Sequence, residues 1–150
     1  MAKPEFKYVD EYSNGVPENS EDLLDEIQSL CNRVYNSLPA IARGASLDNT
    51  VQVDYRKRGI GASRQIVAGV REGDGEEVEV PVADLTEYLN QIVEGKEVVW
   101  VQRPLFFLVK EVIGFRDEVD LWNNYGIEAF YRAAEILDEW TSIGVAQRWN

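Results

Sequence analysis

Residues 50–82 read TVQVDYRKRGIGASRQIVAGVREGDGEEVEVPV, and three times within them apolar and polar side chains alternate with a period of two. Val51, Val53 and Tyr55 alternate with Gln52, Asp54 and Arg56; Ile66, Ala68 and Val70 repeat the pattern; Val78, Val80 and Val82 oppose Glu77, Glu79 and Pro81. Successive side chains of a strand point to opposite faces, so each run predicts a strand with one buried face. Between the second and third runs, EGDGE offers Gly73 and Gly75 for a hairpin turn with positive φ. Lys57 to Ser63 form the loop of the other hairpin. The economical solution is a three-stranded antiparallel meander with Pro81 on an edge strand, because proline cannot donate to a ladder.

Outward from this core the period changes to that of a helix. Leu23, Ile27, Leu30, Val34 and Leu38 recur at three- and four-residue steps, with Leu24, Cys31 and Tyr35 widening the stripe. Ser20 is the expected N-cap, Glu21 and Asp22 suit the positive helix end, and Pro39 ends the helix. After the meander, Asp84 with Glu87 predicts a capping box for a short helix with Leu85, Tyr88, Leu89 and Ile92 inward, closed by Gly95. EVVWV around Val98 to Val101 reads as a buried strand carrying Trp100 into the core. Pro104 at a first helical position turns PLFFLVKEVIG into a buried helix. A smaller helical piece around Arg116 to Asn123 precedes the last helix, in which Ile127, Phe130, Ala134, Leu137 and Trp140 share a face.

Strands grouped between helices, rather than regular alternation, predict an α+β fold. It consists of a small antiparallel sheet, the meander plus one further strand, packed against an N-terminal helix and C-terminal helices. The 150 residues predict one domain, 20–150, preceded by an extended arm, 1–19, that carries Phe6, Tyr8 and Tyr12 without helical period. No stretch has the apolar length of a membrane span and the first residues lack a signal-peptide core, so the expectation is a soluble protein, cytoplasmic or carried in a virion.

Composition removes several chemistries. The chain has no histidine, which excludes imidazole-based triads and imidazole metal ligands. Its single cysteine, Cys31, falls in the apolar stripe of the first helix and reads as a buried core side chain, so neither a disulfide nor structural zinc is expected. REGDGEEVE lacks the carboxylate order of a calcium loop and reads as an acidic turn. No metal and no cofactor are expected.

The charge is -12, with 27 acids against 15 bases, yet Tyr55 to Gln65 carries Arg56, Lys57, Arg58 and Arg64 without an acid. An acidic field of this size disfavours direct nucleic-acid binding and anionic membranes. The basic string invites two readings besides a solvated turn. One is a docking loop whose cations meet the acidic surface of a second molecule, arginine being suited to bidentate carboxylate pairing. The other is a phosphate cradle from Arg58, Gly59, Gly61, Ser63 and Arg64, although the spacing lacks the features of a P-loop or a dinucleotide fingerprint. Arg148 and Trp149 at the C-terminus have interface composition, and with the arm aromatics and the basic loop they form the candidate interface.

The leading expectation is a non-catalytic structural or adaptor subunit that binds proteins, its own copies or a larger complex. By analogy of architecture, a phage neck, tail or baseplate component fits. A small acidic inhibitor or immunity protein masking a basic partner is the alternative, then a nucleotide-sequestering protein using the Arg58 to Arg64 loop. An enzyme working with carboxylates alone comes last.

Overall fold

A computed structural model describes residues 17–37, 50–61, 64–93, 96–100 and 105–149. The first helix, α1, spans Ser20–Ser37. It begins one residue earlier than expected, because the cap is Asn19 rather than Ser20. The Asn19 Oδ1 accepts from the Asp22 backbone N–H at 2.9 Å, and the Asn19 side-chain amide donates to the Asp22 carboxylate. This satisfies one of the donors that a helix start leaves unpaired.

The three alternating runs form β1 (Thr50–Arg58), β2 (Gln65–Glu72) and β3 (Val78–Pro81). A 3-10 turn at Val82–Asp84 leads into α2 (Leu85–Ile92), followed by β4 (Glu97–Trp100). Helix α3 (Leu105–Ile113) is the buried helix expected after Pro104, a helical turn at Glu118–Asp120 runs into a wide π turn at Leu121–Tyr125, and α4 spans Ile127–Trp149.

The fold is α+β, and the meander is present, but the sheet is mixed rather than wholly antiparallel. Strand order is β3-β2-β1-β4, with β1 pairing β2 and β2 pairing β3 antiparallel. β4 runs parallel to β1, Val51 facing Val98 and Val53 facing Trp100. The reason lies in the connection. β3 runs along β1, α2 carries the chain back, and a strand leaving the helix runs in the direction of β3 and β1. A strand-helix-strand unit makes parallel neighbours where a tight turn makes antiparallel ones.

Alternation places Val51, Val53, Ala68, Val70 and Val80 in one core with Leu23, Ile27, Leu30 and Val34 of α1 and Phe130, Leu137 and Trp140 of α4. Among the described residues the helices pack on this face: α3 lies against β2, α4 against β4, and α1 against both α3 and α4. Tyr55 stacks on Phe107 with ring centroids 4.7 Å apart. The opposite face carries Asp54, Arg56, Arg58, Gln65, Val67, Gly69 and Glu79.

Two local expectations are corrected. Of the two turn glycines only Gly73 takes positive φ, at 53°; Gly75 instead donates its N–H to the Glu72 carbonyl. Asp84 occupies the cap position of α2 without a side-chain capping bond, so the capping box with Glu87 is not made. The turn before α4 is held by Asp120, whose carboxylate accepts from the Arg116 backbone N–H at 2.8 Å and from the Asn124 amide. These bonds, the backbone one foremost, keep Asp120 below the ordinary carboxylate value. Their stabilisation is complete above that value and fades as pH falls through the depressed one.

Cys31 is buried, and desolvation pushes its thiol above the usual range. The native protein is expected to resist a thiol-disulfide reagent at about pH 8 and to react with one equivalent after unfolding. Rapid reaction of the folded chain would contradict this packing.

Candidate docking site

The basic string is not one patch. Alternation along β1 separates its cations: Arg56 and Arg58 project onto the open sheet face, while Lys57 lies beyond the last core residue and Arg64 follows the hairpin loop. On the open face Arg56 bonds Asp54 of its own strand at 2.8 Å and reaches diagonally across β2 to Glu77, its Nε donating to Oε1 at 2.9 Å and its Nη2 to Oε2. Arg58 makes the same two-pronged contact with Glu79 of β3. The bond to Asp54, reinforced by those to Glu77, raises the Arg56 pKa above its usual value despite partial desolvation.

The crossing needs a gap in β2, and Gly69 supplies it. A Cβ there would sit 2.9 Å from the Glu77 carboxyl carbon, so any side chain would displace the carboxylate from Arg56. Arg56 and Arg58 thus lace the β1–β2 hairpin to β3. These pairs are a third to a half exposed on the arginine side, so each adds little to stability. Arg56→Ala is expected to lower the unfolding free energy by about 1 kcal/mol or less, less still at high salt, by denaturant titration. A loss of several kcal/mol would mean the lacing holds the fold itself.

The hairpin tip itself is exposed. Gly59 and Gly61 take positive φ, and between them Ile60 is 87% exposed. Among the described residues Lys57 and Arg64 have no ion pair. In the sequence the cations stand out and Ile60 does not. A branched aliphatic isolated between two glycines belongs to no period-two run, which is the signal that it does not face the core.

The phosphate cradle loses Arg58, whose guanidinium is committed to Glu79, and Ser63 lies outside the described residues. Phe6, Tyr8 and Tyr12 also lie outside them, as do the side chains of Arg148 and Trp149 at the end of α4. The acidic turn 72–75 closes with Lys96 bonded to Glu72 at 2.9 Å. Among the described residues no three His, Cys, Asp or Glu side chains gather to hold a metal ion, and no helix is long and apolar enough to cross a membrane. Comparison with known protein families, curated proteins and solved structures gives no match for this chain.

Proposed function

We propose that the protein is a non-catalytic structural or adaptor subunit that assembles with copies of itself, of the kind that builds a virion neck, tail or baseplate. The observation that carries this reading is Ile60, a large aliphatic side chain 87% exposed at the tip of a laced hairpin. Exposing such a group is unfavourable by about 1.5–3 kcal/mol relative to burying it, and a partner surface removes that penalty. Lys57 and Arg64 flank it on a chain of net charge -12. A second copy therefore presents an attractive field to this tip, whereas most other faces repel one another. The lacing of Arg56 and Arg58 gives those residues a positioning role, holding the tip out, and leaves docking to Lys57, Ile60 and Arg64.

Light scattering across a concentration series from about 1 to about 100 µM tests the reading. Masses at whole multiples of 17.1 kDa are expected as concentration rises. A constant 17.1 kDa throughout the series overturns it.

A further inference from the structure

β3 is the edge of the sheet, and beside it lies an open groove of about 290 Å³ between the strand and α2. Val78, Val80, Pro81 and Tyr88 give it an apolar floor, and Val78 is 46% exposed. Its charged lining is wholly acidic: Glu79, Asp84 and Glu87, with Gln91 the remaining polar side chain. Glu79 is neutralised by Arg58. Asp84 makes no capping bond and, like Glu87, is exposed, so two carboxylates without an ion pair among the described residues stand at the rim.

We infer that this groove receives the hairpin tip of a second copy, Ile60 entering over Val78 and Tyr88 while Lys57 and Arg64 meet Asp84 and Glu87. The inference rests on the self-assembly reading and names its contact. Complementarity carries it: one exposed aliphatic group between two cations fits an apolar floor beside two carboxylates, none of the four charges having an ion pair among the described residues. The apolar contact supplies affinity and the two charge pairs supply register. β3 is also the edge of the sheet among the described residues, a surface natural proteins cover.

The test is a charge exchange. One variant carries Asp84→Lys with Glu87→Lys, the other Lys57→Glu with Arg64→Glu. Each alone is expected to self-associate at least tenfold more weakly than the unaltered protein, and the two mixed are expected to recover association, by sedimentation velocity. Recovery on mixing also shows that both variants fold. A mixture of Ile60→Cys and Gln91→Cys proteins is expected to give a 60–91 disulfide well above either homodimer under mild oxidation, the native thiol at Cys31 being buried. If the unaltered protein associates while the charge variants associate equally well, or if only removal of residues 1–16 abolishes association, the groove has another occupant and this inference fails while the assembly reading stands. If the unaltered protein stays a monomer, both fail.

Discussion

Trp140→Ala is expected to cost about 3–5 kcal/mol of folding free energy, the range for deleting a large buried aromatic side chain. Trp140 is 1% exposed, stacks on Trp100 of β4 at 5.6 Å between ring centroids, and donates its indole N–H to the Thr86 hydroxyl of α2 at 2.9 Å. One side chain therefore joins α4 to both halves of the β3-α2-β4 crossover. Truncation removes the stacking partner of Trp100, opens a cavity at the junction and leaves the Thr86 hydroxyl without its donor. Set against a total stability of about 5–15 kcal/mol, such a loss leaves a substantial unfolded fraction at moderate temperature. Trp140→Phe separates the contributions: it retains most of the ring contact and is expected to cost about 1–2 kcal/mol, chiefly the hydrogen bond and the smaller volume. Denaturant midpoints for the two variants check this. Equal, small shifts would mean that α4 is held by other contacts.

The second large effect is at Gly126, the hinge between the π turn and α4. Its φ of 59° and ψ of -151° lie in a region that only glycine populates readily. An added Cβ would have room, its nearest contact being the Trp122 carbonyl at 3.8 Å. The penalty is therefore conformational rather than steric, about 1–3 kcal/mol for Gly126→Ala. That corresponds to a drop in Tm of about 2–4 °C per kcal/mol for a chain of this size. Calorimetry measures it. A neutral or stabilising alanine would mean that the backbone leaves this conformation at no cost, and the turn from Leu121 to α4 would need another explanation.

Which features the residues announce and which they conceal follows from the range of the interaction involved. The stripe Leu23, Ile27, Leu30, Cys31 and Val34 is buried as its spacing requires, because helical periodicity is local and survives any arrangement of neighbours. The meander was readable for the same reason, its strands being joined by short turns that permit only antiparallel pairing. β4 was readable as a strand but not in direction. EVVW carries no mark of orientation, which α2 sets by returning the chain along the sheet. The cap of α1 moved from Ser20 to Asn19 because both residues are competent and the backbone path chooses between them. At the candidate site, the clustering of Arg56 and Arg58 was plain, but their partners Glu77 and Glu79 lie 21 residues on and come into reach only through the register of three strands. The side-chain-free position at Gly69 that lets Glu77 cross is intelligible only once that register is known.

The proposed assembly divides labour within one hairpin, the Arg56 and Arg58 guanidinium groups bracing it and the exposed Ile60 docking. The direct measurement is the self-association constant of Ile60→Asp and of Arg58→Gln beside the unaltered protein, by equilibrium sedimentation. The account predicts at least a tenfold loss for Ile60→Asp, about 1.4 kcal/mol or more, and a change within about threefold for Arg58→Gln. Association that survives Ile60→Asp but collapses with Arg58→Gln would contradict it, returning the docking role to the cations.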